Sequence, residues 1–131
     1  MIDLLVTEEI KEQIADNPAN VQAIIDSTNE VGICITNQQM EFVAVNNEYC
    51  RLYGYEKHEL IGNKFTMIVP EEYQEQMQHL HDKFMRDKRE IAREWTVATK
   101  NGPLDISVDT AYSDKIFGGG PHKITLVSKA D

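Results

Sequence analysis

The chain has 131 residues, 41% of them hydrophobic and 27% charged, which is the balance of one folded domain rather than two, or of a disordered segment. Its 22 acidic against 13 basic side chains give a formal net charge of -9, which excludes non-specific attraction to nucleic acid or to an anionic membrane surface. No stretch reaches the ~18 apolar residues of a membrane helix. The opening MIDLLVTEE has no basic region of a signal peptide, so the expected location is the cytoplasm.

Residues 7–16 are predicted as a helix, with Thr7 as N-cap, Glu8 and Glu9 at the positive end of the dipole, and Val6, Ile10 and Ile14 on one face. Asn17-Pro18 restarts the chain, Asn17 as cap and Pro18 at the first helical position, and a second helix runs to about Thr28. The period then changes from helical to two. Val31, Ile33 and Ile35 alternate with Gly32, Cys34 and Thr36 as in a strand, Asn37-Gln38-Gln39 turns, and residues 40–45 return as the second arm of a hairpin. Asn46-Asn47 caps a short helix to Tyr53 that Gly54 closes, and residues 56–61 form another that closes on Gly62.

Pro70 opens the longest helix, to about Asp87, with Tyr73, Met77, Leu80, His81 and Phe84 on one face. Three strands follow, at residues 90–99, 104–113 and 122–128. Asn101-Gly102 marks a hairpin between the first two, and Gly118-Gly119-Gly120 a flexible loop before the last. Two strands, then helices, then three strands imply an α+β fold with an antiparallel five-stranded sheet whose helices cover one face.

Little in the chain points to catalysis or metal. Cys34 and Cys50 have neither disulfide nor zinc spacing and read as free thiols in a reducing compartment. His79 and His81, two apart on a helix, point in directions roughly 200° different and cannot share an ion. The triple glycine precedes a strand and lacks the lysine of a phosphate loop. Asp105, Asp109 and Asp114 read as a solvated sheet face rather than catalytic carboxylates. The basic run Lys83, Arg86, Lys88, Arg89 and Arg93 is interleaved with Asp82, Asp87, Glu90 and Glu94, a solvated helix end rather than a phosphate site.

The segments VGICITNQQMEFVAVNNEYCRLYGYEKHELIGNKFTMIVPEE, REWTVATKNGPLDISVDTAYSD and HKITLVSKAD, in this order, resemble the PAS family. The most specific parts are the hairpin into Val45-Asn46, the helix closing at Tyr53-Gly54-Tyr55, the run His58-Glu59-Leu60-Ile61-Gly62 and the Lys100-Asn101-Gly102 turn. The likeness covers residues 24–131, with residues 1–23 as an N-terminal helical cap. It implies a PAS-like five-stranded antiparallel sheet with helices packed across one face and a sensing or contact-mediating role. It also implies a homodimer and an output domain or partner signalling protein; no output domain is read in this chain, which is expected to be a piece of a larger sensor or a free-standing adaptor.

The resemblance places a ligand between sheet and long helix, where family members hold haem, flavin, small metabolites or nothing. Met77, His81, Phe84, Arg93 and Trp95 are the candidate pocket. In the haem-sensing branch the iron-binding histidine stands seven residues after the helix-opening proline, a place that Met77 takes here, although His81 lies one turn on and Arg93-Glu94 resembles that branch's oxygen-contacting arginine. The covalent-flavin branch needs an Asn-Cys-Arg-Phe-Leu-Gln type motif, which is absent, while Trp95 could stack on a non-covalent flavin. No cofactor is therefore named. Two readings of the module follow, a ligand sensor or a constitutive contact module with a filled core, the latter burying Val6, Ile10 and Ile14 against a second copy.

Overall fold

A computed structural model describes residues 1–89 and 92–130. The first helix, α1 (Leu4–Asp16), is capped by Asp3, whose carboxylate accepts from the Leu5 and Val6 amides at 3.0 and 3.3 Å. This corrects Thr7 as the cap. Asp3 satisfies the orphan amides a turn earlier, and Thr7 is a buried helical residue. The helix stops at Asn17, since a residue before proline avoids the helical region. One 3₁₀ turn, Pro18–Asn20, leads into α2 (Val21–Asp26).

Strands β1 (Gly32–Asn37) and β2 (Phe42–Val45) form the first hairpin. Helix α3 (Asn47–Tyr53) follows, capped by Asn46 and closed by Gly54 at φ 76, as its sequence implies. Next come α4 (Lys57–Leu60), with a Glu56/Glu59 capping box, two 3₁₀ turns, and α5 (Gln74–Asp87). The 3₁₀ turn Glu71–Tyr73 separates Pro70 from the α-helix it was expected to open. Lys88 ends α5 in the left-handed region at φ 56, the place a glycine usually takes.

Three longer strands complete the chain: β3 (Ala92–Thr99), β4 (Gly102–Ser113) and β5 (His122–Lys129). Glu90 and Ile91, where β3 was expected to begin, lie outside the described residues. Strand β4 starts two residues earlier than its sequence pattern suggests, because Thr99 pairs with Gly102 and the turn is Lys100-Asn101. The sheet order is β2-β1-β5-β4-β3, every neighbour antiparallel.

Register decides which side chains meet. Directly paired residues share a face, so Arg93, Trp95, Val97, Ile106, Val108, Thr110, Lys123, Thr125, Cys34 and Thr36 all project to one side. That side packs under α3, α4 and α5 in a core with Phe42, Tyr49, Tyr53, Leu60, Ile68 and Met77. The opposite side carries a second core in which Ile33, Ile35, Ile124 and Leu126 meet Ile10, Ile14, Val21 and Ile25 of α1 and α2. The N-terminal helices therefore cover the far face of the sheet, which is why β1 is buried on both sides and not on alternate residues.

At Gly32 helix α3 lies directly against the sheet. A Cβ there would lie 3.0 Å from Tyr49 Cα and 3.1 Å from Tyr49 N, both backbone atoms that cannot swing aside. Gly32→Ala is expected to lower stability by about 1–3 kcal/mol through overpacking, read from urea denaturation.

Candidate functional site

Between the sheet and α5 lies a cavity of about 30 Å³. Its apolar wall is Tyr53, Phe65, Met77, Leu80, Val97, Ile106 and Val108, and its polar wall is Arg93, Trp95, Thr110, Lys123 and Thr125. Of the five expected pocket residues the structure brings Met77, Arg93 and Trp95 to this space. It does not bring His81 or Phe84. His81 is buried with Nε2 donating to the Gln38 carbonyl at 2.7 Å, so its ring bolts α5 to the β1–β2 turn. Burial pushes the His81 pKa down, and the nearby Lys123 charge acts in the same direction. Phe84 packs with its ring centroid 6.3 Å from that of Tyr112 and 5.1 Å from Lys123 Nζ, along the outer edge of the helix–sheet seam.

Two groups of the polar wall, Trp95 and Thr125, are short of partners. Trp95 Nε1 and Thr125 Oγ1 are buried without a hydrogen-bond partner, and so is Tyr49 Oη deeper in the same core. Tyr49 and Thr125 meet the Cys34 thiol there, a weak partner for either. Burial pushes the Cys34 thiol up to about 11 and raises Tyr49 and Tyr53, whose rings stack with centroids 4.1 Å apart. Buried orphan polar atoms are rare in native cores and mark places where a further group belongs. Arg93, itself exposed, lies over the Trp95 ring at 5.5 Å and stands at the mouth.

The donor set and the volume together do not fit haem or flavin. Met77 is a single buried thioether, and the nearest imidazole, His81, already donates to Gln38 and faces elsewhere. Sites for ligands of that size enclose ~300 Å³ or more.

The far face holds a second polar cluster. Thr7 Oγ1 donates to Asp109 Oδ2 at 2.8 Å, and Lys11 Nζ lies 2.9 Å from the same oxygen. The Ile2 amide donates to Ser107 Oγ at 2.7 Å. Asp109 is therefore buried beneath α1, which corrects its reading as solvated, whereas Asp105 and Asp114 are exposed. Ile10 and Ile14, expected to meet a second copy, are buried with half-buried Val6 against the chain's own sheet. Their narrow stripe is the width of one sheet contact, and that contact is internal.

Sequence reasoning missed Lys123, Thr125, Thr110 and the β4 valine and isoleucine that line the cavity. The signal was present in β5, where Lys123 shares parity with Thr125 and Val127 on a face that must be buried. Only the register of five strands shows that this face is also that of Arg93 and Trp95.

A PAS domain family model matches residues 30–118. The PAS domain of an HTR-like protein from Haloarcula marismortui superposes with a TM-score of 0.70 at 13% identity, covering 94% of this chain and 99% of that one. A PAS domain from Colwellia psychrerythraea gives 0.71 at 17% identity over 92% and 97%. The PAS domain of the Cronobacter turicensis quorum-sensing receptor RpfR, solved in complex with BDSF, gives 0.68 at 15% over 80% and 98%. No curated protein matches the chain. No helix among the described residues is long and apolar enough to cross a membrane. With the family model covering well over half of its length, and the five-stranded sheet in place, the chain belongs to the PAS domain family, a family of sensory and signalling modules.

Proposed function

We propose that this domain is a ligand-responsive sensor in which a small molecule enters the cavity under α5 and helix α1 reports it from the other side of the sheet. The observation that carries this reading is the double use of β4. Val108 and Thr110 line the cavity, while Ser107 and Asp109, alternating with them, bind the N-terminal segment through Ile2, Thr7 and Lys11. One strand thus forms the floor of the pocket and the anchor of the helix. A ligand that displaces Val108 by a fraction of an ångström also moves the Asp109 carboxylate. The RpfR domain supports the reading, since it is a quorum-sensing receptor domain of the same fold solved in complex with BDSF.

Native mass spectrometry of the purified chain, followed by thermal shift across a metabolite panel, tests it. A true ligand at a hundredfold excess over its Kd is expected to add about 2.7 kcal/mol to stability, and it should change amide exchange in residues 4–16. A panel without a shift, from protein that carries no small molecule, would favour the second reading, a constitutive contact module. The smallness of the cavity is the observation behind that alternative. A second copy or an output protein would then meet the chain at the start of α1, where Met1, Leu4 and Leu5 are exposed.

A further inference from the structure

The charge of the cavity runs against the charge of the chain. The protein carries 22 acidic side chains and 13 basic ones, yet the described cavity lining includes two of the basic and none of the acidic. Lys123 reaches this space from the middle of the sheet, and no carboxylate faces its ammonium among the described residues. The Phe84 ring lies 5.1 Å from it, and Arg93 and the Cys34 thiol are within electrostatic reach. A half-buried cation with no counter-charge beside it among the described residues is held at a cost in stability.

The neutral groups beside it have the same polarity. Trp95 Nε1 can only donate, and it is buried without an acceptor. Thr125, two residues from Lys123 on the same face of β5, has a buried hydroxyl whose neighbour is the Cys34 thiol, a weak partner. Arg93 adds a second positive charge at the mouth. Apart from Thr110 and the Tyr53 hydroxyl, the remaining wall, with Met77, Leu80 and Val97, is apolar. Two cations, an orphan N–H and a weakly partnered hydroxyl therefore line one space whose other walls are mostly apolar.

We propose that the cavity is built for a small organic anion, a carboxylate on a short apolar body, with Lys123 as its counter-charge and Trp95 and Thr125 as its neutral donors. This rests on the ligand-sensor reading and sharpens it. The volume of about 30 Å³ sets the scale, space for a few heavy atoms unless α5 moves outward. Desolvation holds the Lys123 pKa below its ordinary value, with Arg93 pushing the same way and the Cys34 thiol opposing both. A bound carboxylate would oppose the first two effects with its own charge, so Lys123 becomes more firmly charged as the site fills.

The test is titration calorimetry and thermal shift on the intact chain with acetate, propionate and butyrate, each against its primary amide of nearly the same shape. The acids are expected to bind at least about tenfold tighter than the amides, the usual value of a charge-assisted hydrogen bond. Lys123→Met should erase that preference, and Lys123→Arg should retain it. The methionine variant keeps the apolar stem and is expected to melt no lower than the native chain. Should it fail to fold, the acid-to-amide ratio on the native protein still decides. Amides that bind as well as acids would overturn the anion while leaving the sensor standing. Acids that bind Lys123→Met undiminished would overturn it as well, since the carboxylate would then lie elsewhere. No binding by either class would overturn the anion, while the sensor reading falls only if the metabolite panel also gives no shift.

Discussion

Asn46→Ala is expected to be the most damaging single substitution in the chain, lowering stability by about 3–5 kcal/mol. Asn46 is 2% exposed and makes four hydrogen bonds through its side chain. Its Oδ1 accepts from the Ile33 amide at 2.8 Å and the Tyr49 amide at 3.0 Å. Its Nδ2 donates to the Thr28 and Val31 carbonyls, both at 3.0 Å. One amide thus caps α3, fixes the first residues of β1 and ties down the exit from α2. Loss of a helix cap costs about 1 kcal/mol, and each buried backbone group left without its partner costs a further ~1–3 kcal/mol, less than additively. Against a total of about 5–15 kcal/mol, the variant is expected to melt roughly 10–20 °C lower. Urea denaturation with an unchanged m-value measures it, and a loss under 1 kcal/mol would contradict the hub. Asn46→Asp is the informative control. It keeps the acceptor for Ile33 and Tyr49, but it turns an oxygen toward the Thr28 and Val31 carbonyls. Only a protonated carboxyl can bond there, so the folded pKa of this Asp is raised and the variant should recover stability as pH falls.

Asn46 also shows how far local sequence carries. Its place as the α3 cap, with Gly54 at the other end, follows from residue type and spacing, and both are found. The antiparallel sheet, the hairpins and the long helix likewise follow from period and turn chemistry. The links to Thr28 and Val31 do not, because they depend on where two separate segments come to rest. The same divide explains the cavity. Met77 was legible from the helical stripe, and Arg93 and Trp95 from the resemblance and the aromatic ring. His81 shares that stripe with Met77, but it lies one turn further along, beside the β1–β2 turn, and the Gln38 carbonyl takes its ring. Lys123 and Thr125 face the site only through the register of β5 on β4, a contact between distant segments of chain. Asp109 was the least legible, because its partners Thr7 and Lys11 lie about a hundred residues earlier in the chain.

Asp109→Ala is the second large expected effect, and it would be local. Removing the carboxylate takes from α1 two contacts, one to the Thr7 hydroxyl and one to the Lys11 ammonium, whose side chain is 9% exposed. A hydrogen bond to a charged group contributes about 1.5–3 kcal/mol, so docking of α1 should weaken by at least about 2 kcal/mol, or some thirtyfold. Because α1 packs on the face of the sheet and pairs with no strand, it can leave the sheet without unfolding the rest, and local opening limits the global loss. Amide exchange in residues 4–16 is therefore expected to accelerate about thirtyfold or more, while β1 and β5 stay protected. Replacing both partners by apolar residues, Lys11→Met with Asp109→Leu, should restore much of the docking, since a matched apolar pair avoids the desolvation that the ions suffer. The same variants bear on signalling. The cavity should still bind ligand in Asp109→Ala, because Asp109 faces away from Val108 and Thr110, with affinity changed only by the factor that couples ligand to α1 docking, whereas the ligand-induced change in residues 4–16 should vanish. If that change persisted with α1 undocked, β4 would not be the route between the two faces. If binding were lost altogether, the carboxylate would be shaping the cavity rather than reading it.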